Sequence, residues 1–579
     1  MATNFRSFDK DGRMIRGPRS CEGSRGMVSS GRAEASEIGR DILAAGGNAV
    51  DAAVAAAFAL GVCEPNASGI GGGGFMLIRD AQGNCSFIDF REKAPMAARP
   101  DMYTPAGPGM RNPAGPPDAP FDVRLRNIYG GMSVAVPGNV AGLLYALENY
   151  GTMSPPQVIL PAARLARTGY VVSPMLHEDM LKHREQLARF SDTGKIYLDE
   201  GEPWPVGSII NNPDLAETLE TIASGGADAF YKGEIARKIV DACAETEGII
   251  TLEDLANYRV RLLKPLRSTY RGVELISSPP PSSGGTHIIQ ILNLLENFEP
   301  AAFEINSTEY IHLFSEIFKI CYADRTRYMG DPNFVDLPLE GLLSKDYARE
   351  LASRINLGKS MEPAFGDPFK YQDSSGKNSS ANDKSSLGRT KKYESPSTTH
   401  LSIADSEGNL VSLTQTINHF FGSCLVPPGT GFILNDQMDD FSIDPESANA
   451  AAGGKVPLSS MSPTFLLRDG KPFAVLGSPG GTRIISSVVQ VISKLVDHGM
   501  DIESAIASPR FGDDDTNKII YESRIFEETI EELEAMGHTV KAFPEWDRVM
   551  GAVNAVVYLP DGRLKGAADP RRDGLAMGI

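Results

Sequence analysis

The chain has 579 residues and 41% hydrophobic content, enough for a sizeable core, as one large unit or two to three smaller ones, and too apolar for global disorder. Its formal charge of −18 gives phosphate backbones no electrostatic footing, which argues against nucleic acid and leaves small molecules or peptides as partners. Six cysteines (21, 63, 85, 243, 321, 424) stand apart without a CxxC or a Cys/His cluster, so they read as scattered free thiols and support neither a metal site nor a redox pair.

The opening "MATNFRSFDKDGRMIRGPRS" is polar, with no apolar core of a secretory signal, so as written the protein is expected in the cytoplasm. An incomplete N-terminus would instead allow a periplasmic or secreted protein. A helix is predicted over 34–45, stopped by Gly46-Gly47, and a second over 49–62. The run "AVDAAVAAAFALGVC" is too short for a membrane span and suits a closely packed core helix. Glycines in "EPNASGIGGGGFMLIRD" then lead into a strand at 75–79. Residues 98–129 read as irregular, and helices follow at 140–150, 156–168, 213–224, 233–245, 251–257, 286–296 and 307–325, interrupted by the elbow "SSPPPSSGG".

The segment 372–397 holds eight serines and, as apolar residues, only Ala381, Leu387 and Tyr393. Burial there cannot offset the entropy of ordering, so a mobile tether is expected. Strands follow at 398–405, 410–417, 431–435, 463–468 and 472–477, a helix at 484–498, another at 525–537, and a last hairpin through Pro560-Asp561-Gly562. The C-terminal third is thus α+β and the region before the tether largely helical.

Gly69, Gly71 and Gly74 satisfy G-x-G-x-x-G, but in the order helix, glycines, strand; a dinucleotide site needs strand, glycines, helix. Close backbone packing is the better account. "GSPGG" ends a strand and precedes a helix, which puts the Gly480 and Gly481 amides where an oxyanion could sit, or makes a plain turn. No H-E-x-x-H is present, and His400 within a strand reads as a structural residue.

Thr398 is different. A threonine hydroxyl is a weak nucleophile, but a cut between Ser397 and Thr398 would free an α-amine of pKa about 8 to act as its base. A hairpin loop centred on Glu407 sets Thr416 directly across from Thr398. Cross-strand threonine pairs are also common as plain stabilisers, and pattern alone favours that bland reading.

Several ordered stretches carry a resemblance: "GGNAVDAAVAAAFALGVCEPNASGIGGGGFM", "DFREKAP", "VPGNVAGL", "SPPPSSGG", "YADRTRYMGDP", "TTHLSIAD", "NDQMDDFS", "PLSSMSPT", "GSPGG" and "ADPRR". From about residue 25 onward the chain resembles the γ-glutamyltranspeptidase (glutathione hydrolase) family of N-terminal nucleophile enzymes. The resemblance implies an αββα sandwich and a precursor that cuts itself at Ser397–Thr398 into a large subunit, 1–397, and a small one, 398–579, which stay associated. It implies Thr398 as nucleophile, Thr416 as its partner, and Gly480 and Gly481 as the oxyanion hole. Arg91, Ser459 and Ser460 would hold a substrate α-carboxylate, and Asn418, Gln437 and Asp440 an α-ammonium group. The activity implied is acyl transfer from glutathione and related compounds to water, an amino acid or a dipeptide, without cofactor or metal; that no membrane is involved is expected from the sequence itself, not from the resemblance. An acylase or a poly-γ-glutamate depolymerase on the same fold is the alternative. The stretch between Asp440 and Ser459 is shorter than in many relatives, where it forms a lid, and a short lid would admit longer acyl groups.

Overall fold

Two seven-stranded sheets lie face to face, and each is braided from segments on both sides of Ser397. The structure, a computed structural model, describes residues 19–103, 126–372, 397–513 and 518–579. Of the expected tether at 372–397, residues 373–396 lie outside the described residues, as does most of the irregular stretch at 98–129.

The first sheet runs, in spatial order, Leu575–Gly578, Gly26–Ser30, Thr399–Asp405, Leu410–Thr416, Gly73–Arg79, Cys85–Phe90 and Arg261–Leu263. The second runs Ser20–Gly23, Leu564–Ala568, Asn554–Tyr558, Lys471–Gly477, Thr464–Arg468, Val273–Ser277 and Leu266–Tyr270. Helices Ala33–Ala44, Ala49–Cys63 and Asn139–Tyr150 cover the outer face of the first sheet, with Pro155–Thr168 packed on Ala49–Cys63; Gly284–Leu295 and Arg483–Val496 cover that of the second, with Thr308–Tyr328 packed on Gly284–Leu295. This is the αββα sandwich.

Strand period explains the layering. Along Thr399–Asp405, Leu401 and Ile403 join the helix-side core, while Ala404 joins the core of the other side. His400 and Ser402 share that inner face and tie the sheets together. Ser402 Oγ donates to Asn554 O at 3.0 Å, and Asn554 Nδ2 donates to His400 O at 3.0 Å. The Ala-rich helix is capped by Asn48 and Asp51, and its small side chains bring it close enough for Gln415 Nε2 to reach Ala57 O at 3.0 Å.

The glycine run packs tightly, as the inverted order required. A Cβ on Gly71 would fall 2.2 Å from Ile433 O, and one on Gly72 2.0 Å from Thr416 O. Asn139 of "VPGNVAGL" pins this run by donating to Gly69 O at 2.8 Å. The region ahead of Ser397 is rich in helix, but it also supplies seven of the strands named above, where the sequence showed one. The strand expected at 431–435 is absent. That segment makes one bridge, Gly71 to Leu434, because the Asn435 side chain binds the main chain of Gly71 and Ala135 in place of a ladder. The six cysteines are free thiols, and among the described residues no helix is long and apolar enough to cross a membrane.

Candidate active site

Register places Thr398 where the hairpin reading put it. Thr399 pairs with Gln415, so Thr398 faces Thr416, and its Oγ1 donates to Thr416 Oγ1 at 3.0 Å. Thr416 Oγ1 in turn accepts from the Asn418 amide at 2.8 Å. Thr398 has φ +81°, a left-handed conformation that a β-branched residue adopts only under strain of roughly 1–3 kcal/mol.

One guanidinium grips the peptide on both sides of the expected cut. Arg572 donates to Ser397 O at 3.3 Å and to Thr398 O at 2.5 Å, and it faces Glu64 Oε1 at 3.4 Å. Neither Arg572 nor Glu64 was singled out from the sequence, although "ADPRR" and "VCEPN" carry them. His400 is structural, as expected: fully buried, bonded to Thr414 and Ser402, with burial pushing its imidazole down to about 3.

The candidate oxyanion site stands at the end of strand Lys471–Gly477. Gly477 abuts the His400 ring, two residues from Thr398. Gly480 has φ +131° and Gly481 φ +58°, and helix Arg483–Val496 starts just beyond them. Among the described residues neither glycine amide donates to an acceptor.

The charged end of the site is fully assembled. Arg91 is 2% exposed, and its Nη2 donates to Asp440 Oδ2 at 2.6 Å and to Leu458 O at 3.3 Å. Gln437 Nε2 also donates to Asp440. Ser459 O receives the Ser283 amide at 2.7 Å from the "SPPPSSGG" elbow, and Ser460 Oγ accepts from Arg325 of "YADRTRYMGDP" at 3.0 Å. Asn418 Nδ2 donates to Asp436 O at 3.1 Å. A path through Thr416, Asn418, Asp436, Asn435, Gln437 and Asp440 thus runs from the hydroxyl pair to Arg91, hydrogen-bonded at each step except the peptide link between Asn435 and Asp436. The short stretch after Asp440 is anchored there, since Asn449 Nδ2 donates to Asp440 O at 2.7 Å and Asn449 Oδ1 accepts from Leu458 N at 3.1 Å.

His419, passed over in the sequence, bonds Asp436 Oδ2 at 2.6 Å. Burial alone would lower its imidazole, but Asp436, Asp439 and Asp440 outweigh that and push it up to about 9. Elsewhere, donor atoms of His312, Glu316 and His538 lie close enough together for a metal, but the Lys319 ammonium, 2.7 Å from Glu316 Oε1, is the cation this cluster holds.

With this geometry in place, likeness to known proteins gains meaning. A family model described as gamma-glutamyltranspeptidase matches residues 35–579. The glutathione hydrolase proenzyme of Escherichia coli K12 is 40% identical over 94% of this chain and 90% of its own. The acylase ACY 1 proenzyme of Pseudomonas sp. SE83 is also 40% identical, over 96% and 94%. The crystal structure of cephalosporin acylase from Bacillus halodurans superposes with a TM-score of 0.85 at 27% identity, over 100% of this chain and 99% of that one. Fold, motif order and matched length agree: the chain belongs to the γ-glutamyltranspeptidase family.

Proposed function

We propose that this protein is a γ-glutamyltransferase/hydrolase that matures by cutting itself between Ser397 and Thr398, leaving a large chain of 1–397 and a small one of 398–579. Thr398 Oγ1 attacks the Ser397 carbonyl carbon through a five-membered ring, transferring that acyl group from nitrogen to oxygen, and water opens the ester. The freed α-amine then serves as base for the same hydroxyl. In turnover Thr398 Oγ1 attacks the γ-amide of glutathione or a related donor, and the Gly480 and Gly481 amides hold the oxyanion. The amine leaves with a proton, and water, an amino acid or a dipeptide resolves the γ-glutamyl ester.

The observation that carries this reading is the ion pair of buried Arg91 with half-buried Asp440 at 2.6 Å. One cation and one anion at fixed separation match the zwitterionic end of a γ-glutamyl group, and each charge-assisted bond contributes about 1.5–3 kcal/mol. Ser459 and Ser460 would join Arg91 on the carboxylate, and Asn418 and Gln437 would join Asp440 on the ammonium. The test is a denaturing gel with N-terminal sequencing of the smaller band, followed by p-nitroaniline release from a γ-glutamyl anilide with and without glycylglycine. A chain that stays whole, or matures without touching the anilide, overturns the proposal.

A second reading, an acylase or a depolymerase of poly-γ-glutamate, draws on the equal identity to the acylase-named relative. A glutaryl group lacks the ammonium that Asp440 would meet, so glutaryl and γ-glutamyl anilides compared side by side separate the two.

A further inference from the structure

Behind Arg91 lies a carboxylate that the reaction scheme leaves unused. Glu92 is fully buried, and neither of its oxygens accepts a hydrogen bond among the described residues. Arg91 Nη1 stands 3.5 Å from its Oε2. Gly73 gives that oxygen room, since a Cβ there would fall 2.7 Å away.

The other charged or titratable groups acting on Glu92 are few. Asp436 and Asp440 are anions, and the charge of Asp436 is shared with His419. Tyr231 and Tyr258 approach from the helical side, but their hydroxyls donate to Pro137 O and Arg91 O. Among the described residues Arg91 is therefore the one cation Glu92 leans on, and Asp440 is already bonded to it. Burial pushes the Glu92 carboxyl up to about 7 against the pull of Arg91 and, more weakly, of its own main-chain amide. With Glu92 ionised, a substrate carboxylate would be the third anion on one guanidinium; with Glu92 neutral, the incoming carboxylate replaces Asp440, which turns to the ammonium.

We propose that Glu92 is a proton-linked positioning residue, taking up one proton from the medium as an α-carboxylate settles on the Arg91 guanidinium. The inference rests on the γ-glutamyl reading of the site. By linkage, an amino-acid-shaped group binds best where Glu92 is already protonated, and its affinity falls as pH rises above that point.

The test is calorimetric titration of the mature, full-length protein with L-glutamate at pH 8, in two buffers of different ionisation enthalpy. More than about half a proton should be taken up per glutamate bound, the share of Glu92 that is ionised beforehand. Over pH 7–9 the KM for a γ-glutamyl anilide should climb toward about tenfold per pH unit, and E92Q should flatten that climb and abolish the uptake. Should E92Q fail to fold, an infrared difference spectrum of the wild type with isotope-labelled glutamate still reads the new protonated carboxyl band. Glutamate binding without proton uptake, or with uptake that survives in E92Q, overturns this inference alone. Absence of both glutamate binding and anilide turnover would sink the γ-glutamyl reading, and the role of Glu92 with it.

Discussion

The hydroxyl of Thr398 donates to that of Thr416 across 3.0 Å, at the mouth of a hairpin whose register runs from Thr399–Gln415 to Ala404–Leu410. Thr416 thus fixes where the candidate nucleophile points, and the Asn418 amide fixes Thr416. Thr416→Ala is expected to slow both maturation and turnover by about 10²-fold, the scale of a lost acid–base partner, while Thr416→Ser keeps most of each. Thr398→Ala should stay a single chain with no turnover. Band conversion over time on a denaturing gel, beside anilide kinetics, reads all three.

Gly480→Ala should lower kcat by about 10²–10³-fold with little change in KM, because an oxyanion donor matters mainly in the transition state. At φ +131° an alanine is strained, and its Cβ would lie 3.0 Å from Gly551 Cα, so the amide must turn away. A KM that rises while kcat holds would assign this turn to ground-state binding instead.

Removing Arg572 takes the facing cation from buried Glu64 and a donor from the Ser397 and Thr398 carbonyls. Arg572→Met should cost about 3–5 kcal/mol, and Arg572→Met with Glu64→Gln markedly less, since breaking a buried pair is worse than replacing it. Denaturant midpoints of the two variants test this.

His419 gives the stability an alkaline edge. Its folded value, raised to about 9, lies above the unfolded value of about 6.5. The stabilisation is therefore complete below pH 6.5 and lost as pH rises through 9. Thermal midpoints should fall across that window, and His419→Gln should remove that part of the slope.

Asp440→Asn should raise the KM for a γ-glutamyl anilide by about 10–100-fold, the loss of one charge-assisted bond. Gln437 and Arg91 can still meet the amide oxygen, so the fold should be kept, which circular dichroism would verify.

Local chemistry was legible in the sequence and remote pairing was not. The hairpin loop centred on Glu407 set the register that joins Thr398 to Thr416, and the inverted glycine order foretold close backbone packing, whose partners in the fold are Thr416 and Ile433. Strands Ser20–Gly23 and Gly26–Ser30 went unread because they are short, rich in Ser and Gly, and pair with Leu564–Ala568 and Leu575–Gly578 at the far end of the chain. Arg572 was hidden for a similar reason: its partners lie 174, 175 and 508 positions away. The cationic and anionic residues of the site were found through motif resemblance, since nothing in the spacing of Arg91 and Asp440 brings them together.

The braiding of the two sheets reaches beyond catalysis. Strand Thr399–Asp405 is flanked by Gly26–Ser30, from before the expected cut, and by Leu410–Thr416, from after it. Neither product of a cut at Ser397–Thr398 would own a complete sheet, so neither could serve as a template for folding the other. Such an enzyme is assembled once, as a single chain, while closure of its long loops is still intramolecular. After the cut, refolding becomes a second-order reaction between two incomplete halves. Its recovery from denaturant should then depend on protein concentration, whereas the uncut Thr398→Ala chain should refold at a rate that does not.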